Sequence, residues 1–221
     1  GPLDMERALE IATGIAAGMA RAHGENVLHR DLKPDNVVLT DEGIPKILDF
    51  GLSKLVGKTL PAEETARSDH PTLVDRASQN ITRPGAVLGT LTYMSPEQVQ
   101  GWPVDARTDV FSFGVVLYEL LSGRRPFAGG SYIDTASKIL REDPEPLVAV
   151  RQDVPRELQD ILARCLAKDP AERFDSCQEV YQSLLEARRR LDARDAGIAA
   201  LLRRPVVVAT LALMVVGLAA G

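Results

Sequence analysis

Apolar positions in the first part of the chain follow a helical rhythm. Met5, Leu9, Ala12, Ala16 and Met19 recur at three- and four-residue intervals, and Ile11 and Ile15 widen the face. This spacing predicts a largely buried helix from 5 to 23 that stops near Gly24. Val37-Val38-Leu39 and the run 44–48 are short and β-rich, and Thr40-Asp41-Glu42-Gly43 lies between them, so they predict a hairpin. A helix opened by Asp109 and running to about 122 carries Val110, Phe111, Phe113, Val115, Val116, Leu117, Leu120 and Leu121. A helix apolar on nearly every side is either a core axis or a membrane span. About a dozen residues are too few to cross a bilayer, which predicts the core axis.

Gly123-Arg124-Arg125-Pro126-Phe127 ends that helix. Residues 131–140 then predict a short amphipathic helix with Ile133, Ala136, Ile139 and Leu140 as its apolar face. Pro155 at a first helical position starts another, with Leu158, Ile161, Leu162, Cys165 and Leu166 inward. Ser176 and Glu179 predict a capping box for a last helix carrying Val180, Leu184 and Leu185.

Two stretches break the pattern. Residues 52–94, about forty in all, exceed the length expected of a structureless loop inside a compact domain. Between Lys58 and Gly85 they are rich in Thr, Ser, Pro, Asp and Glu, which predicts mobility. Beyond Glu186 the arginines 188, 189, 190, 194, 203 and 204 outnumber the nearby acids, and 205–221 holds no charge. That run of about 17 residues is at the low end for a transmembrane helix, and arginines before it favour a cytoplasmic flank. The expectation is a single membrane span, truncated here, behind a basic juxtamembrane linker at 188–204. A docked apolar helix or a sorting tail is the alternative.

With 221 residues, 45% of them hydrophobic, the chain supports one sizeable core with an appended segment. A net charge of −5 and 5% aromatics argue against a nucleic-acid partner. Cys165 and Cys177 lack metal-site spacing and are too few for a disulfide framework, so both read as reduced helix residues. His23 and His70 stand alone and receive no role. The first helix lacks a basic leader followed by an unbroken apolar run, so it is not a signal peptide.

The chemistry concentrates in His29-Arg30-Asp31-Leu32-Lys33-Pro34-Asp35-Asn36. Pro34 removes a backbone donor and pushes Lys33 out of helical geometry, so the stretch is a loop displaying a carboxylate, an ammonium and a carboxamide. Phosphoryl transfer needs those groups: a proton acceptor, a cation on the moving phosphate and an oxygen ligand for Mg²⁺. The stretch resembles the catalytic loop of eukaryotic-type protein kinases, and Lys33 resembles the serine/threonine branch. Asp49-Phe50-Gly51 follows at the expected interval. Gly89-Thr90-Leu91-Thr92-Tyr93-Met94-Ser95-Pro96-Glu97 is similar to the substrate-docking end of the activation segment, with Ser95 where Ala is commoner. Asp169-Pro170-Ala171-Glu172-Arg173-Phe174 matches a further motif downstream.

The resemblance implies a set of roles. Asp31 would orient and deprotonate a hydroxyl, Lys33 would stabilise the transferring phosphate, and Thr90 would hydrogen-bond around both. Asn36 and Asp49 would hold Mg²⁺ or Mn²⁺, and with Lys33 they would contact ATP. Gly51 would redirect the chain after Asp49, with His29 and Phe50 as structural neighbours. Glu97 would pair with Arg173, and Asp109 would accept hydrogen bonds from the loop backbone and hold Asp31 in place. A phosphate on Thr65, Ser68, Thr72, Ser78 or Thr82 would pair with Arg30.

The implied fold is mainly α, an α+β protein-kinase-like fold: a large helical lobe with a small β-hairpin at 1–187 and an activation segment at 49–97. The N-terminal β-lobe is absent from these residues, since they include no Gly-rich loop, strand lysine or helix glutamate to grip ATP. The expected function is transfer of the γ-phosphate of ATP to Ser/Thr hydroxyls of proteins by a bacterial-like kinase anchored in the cell membrane, its lobe cytoplasmic. The isolated chain is expected to be inactive. The alternative is a catalytically silent scaffold or membrane receptor fragment.

Overall fold

The computed structural model describes residues 3–50 and 90–202, leaving out the side chains of 195 and 197–202. Gly51, the candidate hydroxyls between 65 and 82, Arg203, Arg204 and the uncharged run 205–221 lie outside the described residues. Residues 1–184 form one compact unit and 185–221 a second.

Helix α1 spans Met5–Gly24 and buries Ala8, Leu9, Ile11, Ala12, Ile15, Ala16, Met19 and Ala20. Asp4 caps it, accepting a hydrogen bond from the Arg7 N–H at 3.2 Å. The helix stops where expected, although the left-handed residue after it is Asn26 (φ 57°) rather than Gly24. Strand β1 (Val37–Leu39) pairs antiparallel with β2 (Pro45–Ile47), with Val37 opposite Ile47. Gly43 turns the hairpin at φ 78°, and Arg7 Nη2 donates to its carbonyl at 3.1 Å. The hairpin lies against α1 because α1 lacks a Cβ where they meet. A Cβ at Gly14 would run into the Pro45 ring, and one at Gly18 would come within 3.0 Å of Ile47.

Helix α2 spans Pro96–Gln100, and α3 (Ala106–Ser122) is the core axis. It touches α1, α5 (Leu147–Val150) and α6 (Arg156–Cys165). A Cβ on Gly114 would sit 2.8 Å from Cys165 and 2.9 Å from Leu166, so its absence allows α3 and α6 to cross closely. The helix begins earlier than predicted. Asp105 caps it by accepting from the Arg107 N–H at 2.8 Å, and Asp109 lies inside the first turn. The polar Arg107 and Thr108 gave the apolar rhythm nothing to register.

Helix α4 (Tyr132–Arg141) is capped by Ser131. Its buried stripe runs through Thr135, Ala136 and Ile139, while Ile133 is 76% exposed, so the predicted apolar face is corrected. The Thr135 hydroxyl accepts from the Gly129 N–H at 3.1 Å, and a satisfied polar side chain takes the inward place. In α6, Leu158, Ile161, Leu162 and Cys165 are all buried as expected, and Pro155 is the residue before the helix rather than its first. Helix α7 spans Cys177–Leu202. At its start Glu179 accepts from the Asp175 N–H at 3.3 Å, one residue earlier than the predicted box. Cys165 and Cys177 are both free and buried. Among the described residues, no helix is long and apolar enough to cross a membrane.

Candidate active site

The loop between α1 and β1 is built around one buried leucine. Leu32 is fully buried, while its neighbours Asp31 and Lys33 remain partly exposed. Lys33 is extended (φ −157°, ψ 164°), so alternation puts Asp31 and Lys33 on the same side. Lys33 Nζ meets Asp31 Oδ2 at 2.8 Å and also donates to Thr90 Oγ1 at 3.4 Å. Pro34–Asn36 forms a single 3₁₀ turn. It carries the Asn36 amide back, so that Nδ2 donates to the Asp31 carbonyl at 2.7 Å and to Asp31 Oδ2 at 3.3 Å.

Asp49 arrives through the hairpin. The Leu48 N–H donates to the Asn36 carbonyl at 2.8 Å, which places Asp49 one residue beyond a direct tie to the loop. Asp49 is exposed and has a left-handed backbone (φ 60°). The structure thus brings Asp31, Lys33, Asn36 and Thr90 into contact, and Asp49 follows the residue tied to the Asn36 carbonyl.

His29 holds this corner together. Its Nε2 donates to the Leu48 carbonyl at 2.9 Å, and its Nδ1 accepts from the Asp31 N–H at 3.3 Å, so the ring hydrogen sits on Nε2. Phe50 packs edge-on against the ring, with centroids 4.8 Å apart.

The loop backbone hangs from α3. Asp109 is fully buried; its Oδ2 accepts from the His29 N–H at 2.8 Å and its Oδ1 from the Arg30 N–H at 2.7 Å. His23 adds a third bond, from Nε2 to Asp109 Oδ2 at 3.0 Å. Its Nδ1 accepts from the Cys177 N–H at 3.2 Å, which fixes the tautomer that can donate. His23 is the supporting residue that reading along the sequence missed. A lone histidine near a helix end carries no signal of a partner on a distant helix.

Beyond Thr90, the Tyr93 hydroxyl donates to Glu119 Oε2 at 2.5 Å, and burial together with that carboxylate pushes the phenol well up. Ser112 Oγ donates to the Tyr93 carbonyl at 2.8 Å, tying this stretch to α3. Glu97 is buried against Arg173, with Oε1 to Nη1 at 2.8 Å and Oε2 to Nη2 at 3.0 Å. Thr108 Oγ1 donates to Glu97 Oε1 at 2.7 Å. Burial pushes this carboxyl up, but the hydrogen bonds and charge of Arg173, with Thr108, outweigh it and hold the carboxyl below its ordinary value.

The donor set suits Mg²⁺ in one respect. With Asn36 Nδ2 committed to Asp31, Oδ1 is the oxygen left to offer, and Asp49 carries a carboxylate one residue beyond Leu48, whose N–H is tied to the Asn36 carbonyl. Magnesium uses one or two protein oxygens, completing its shell with phosphates and water. Among the described residues, no cluster of three or more His, Cys, Asp or Glu is arranged to hold a metal without such help.

The model of the protein kinase domain family matches residues 1–185. The chain is 35% identical over 185 residues to the serine/threonine-protein kinase PknB of Mycolicibacterium smegmatis, covering 84% of this chain and 27% of that protein. It is 33% identical over 184 residues to a probable serine/threonine-protein kinase of Clostridium acetobutylicum, covering 83% and 25%. To PknB of Mycobacterium tuberculosis it is 32% identical over 185 residues, covering 84% and 27%. The chain spans about a quarter of the length of these curated relatives.

Proposed function

The chain belongs to the protein kinase domain family, and on that footing we propose that it is the larger lobe of a serine/threonine kinase with Asp31 as its base. The observation that carries this reading is the ion pair of Asp31 and Lys33 at 2.8 Å, with Thr90 on the same ammonium and Asn36 on the same carboxylate. Asp31 accepts the proton of a Ser or Thr hydroxyl as that oxygen bonds to the γ-phosphorus of ATP and the bond to the leaving ADP breaks. Lys33 sits beside Asp31 and places positive charge where the phosphoryl group moves. Asn36 and Asp49 would hold Mg²⁺, which when bound neutralises charge on the nucleotide's phosphates.

Val38, Leu39, Leu48 and Phe50 leave apolar surface exposed beside Asn36 and Asp49. Such surface supports a nucleotide base or a further domain lying over the hairpin. The arginines before the uncharged run 205–221 support attachment to the cell membrane, with the lobe on the cytoplasmic side.

The test is phosphotransfer from MgATP to a Ser/Thr substrate by the protein expressed from its full reading frame, compared with Asp31→Ala. Activity lost in the variant supports the reading. Activity indifferent to Asp31→Ala removes the assigned base, and no activity in either protein leaves the silent scaffold. The 221-residue chain alone is expected to transfer negligible phosphate, because it contains no Gly-rich loop or strand lysine.

A further inference from the structure

Arg30, the residue before the proposed base, has a left-handed backbone (φ 67°) that costs a side-chain-bearing residue free energy. Such a conformation persists only where its surroundings impose it. Two segments grip it. Asp109 takes its N–H at 2.7 Å, and Gln98 Nε2 donates to its carbonyl at 2.6 Å. Arg30 is therefore held on both sides, from α3 and from α2, and Asp31 follows directly.

Gln98 is well suited to this because the rest of its amide is already fixed. Its Oε1 accepts from the Ser95 N–H at 3.0 Å, and its own N–H donates to Ser95 Oγ at 3.3 Å. This is a capping box at the start of α2. An amide turned over would set its oxygen against the Arg30 carbonyl and its nitrogen against the Ser95 N–H, so the network allows one orientation. The same side chain closes the cap and reaches the loop 68 positions earlier in the chain.

We propose that Gln98 is a positioning residue for the phosphotransfer loop: through the Arg30 carbonyl it holds Asp31 in its working place, and it makes that place depend on α2 being docked. The catalytic consequence rests on the kinase reading above; the clamp does not.

Gln98→Glu separates the clamp from the cap. A capping box accepts Glu as readily as Gln, but a carboxylate has no hydrogen to give the Arg30 carbonyl. Gln98→Met removes both contacts at similar size. Ser95→Ala removes the hydroxyl half of the cap and leaves Arg30 untouched. All three, with the unaltered protein, are to be expressed from the full reading frame. Each is then compared for amide exchange at Arg30 and Asp31 and for kcat and KM toward MgATP and a peptide.

Gln98→Glu and Gln98→Met are expected to speed exchange at both amides by roughly tenfold, the scale of one lost hydrogen bond. Both are expected to lower kcat by a similar factor with KM little changed, while Ser95→Ala does neither. The proposal is overturned if Gln98→Glu exchanges like the unaltered protein, or if Ser95→Ala reproduces its effect, since Gln98 would then only cap α2. If the unaltered protein shows no phosphotransfer, the kinase reading fails, and the exchange measurement still decides the clamp.

Discussion

Arg173 and Glu97 stand 76 positions apart in the chain and meet inside it as a two-pronged pair at 2.8 and 3.0 Å. Arg173 is 1% exposed, and each of its N–H groups has an acceptor. Nε donates to the Ala167 carbonyl, Nη1 to Glu97 and the Arg107 carbonyl, and Nη2 to Glu97 and the Lys168 carbonyl. The Phe111 ring lies 4.9 Å from the guanidinium carbon. A buried pair satisfied this fully ties α2 to the approach to α7.

Arg173→Met strands the Glu97 carboxylate away from water, and loss of about 3–5 kcal/mol of folding stability is expected. Replacing both residues by apolar ones of similar volume is expected to cost less than the single change. Chemical denaturation of the three variants checks the order.

Acid weakens the same pair. The Glu97 carboxyl is held below its ordinary value, so in the folded state it gives up its proton more readily than in the unfolded chain. The stability this contributes is fully present above the unfolded value of about 4.3 and fades as pH falls through the lower folded value. The stability gap between the unaltered protein and Glu97→Gln is expected to hold from pH 7 to about 5 and to narrow below about 4. Unfolding curves across that range measure it.

Asp109→Asn replaces one of two accepting oxygens with a donor. The His29 and Arg30 N–H groups each face their own oxygen, so one of them meets an NH₂ group and goes unpaired. On the kinase reading proposed above, about 1–3 kcal/mol per buried unpaired group predicts roughly a fivefold to hundredfold loss of phosphotransfer in the full reading frame. Faster amide exchange at His29 or Arg30 is the matching signature.

Lys168 sets a slope at alkaline pH. Its Nζ donates to the Ile139 carbonyl at 2.9 Å, near the C-terminal end of α4, and lies 3.9 Å from the Phe127 ring centre. Burial pushes its pKa down to about 8, against the pull of Asp143 and Glu142. Between about 8 and the ordinary lysine value near 10.4 the unfolded chain binds more protons than the folded one, so stability from this group rises with pH. The stability difference between the unaltered protein and Lys168→Met is expected to shift in favour of the lysine across that window and to stay flat between pH 6 and 7.

Much of the site could be read along the chain because it is built from near neighbours. Asp31, Lys33 and Asn36 meet through one extended residue and one 3₁₀ turn, and Pro34 keeps the residue before it out of helical geometry. The core axis was legible because residues 110–121 are apolar on almost every side. So were α1 and the inward residues of α6, whose spacing matches the helical period.

Other features depended on partners that no local pattern names. His23 is 86 positions from Asp109, and Gln98 is 68 from Arg30; the hydrogen-bonding roles of both follow from where separate segments dock. The outward turn of Ile133 is of the same kind, because Thr135 found a donor in the Gly129 backbone and so took the inward place. Sequence determined which elements form and which polar groups they carry, since propensity and periodicity act over a few residues. The tertiary structure decided which of those groups hold one another, since a buried donor must find an acceptor wherever the packed chain has put one.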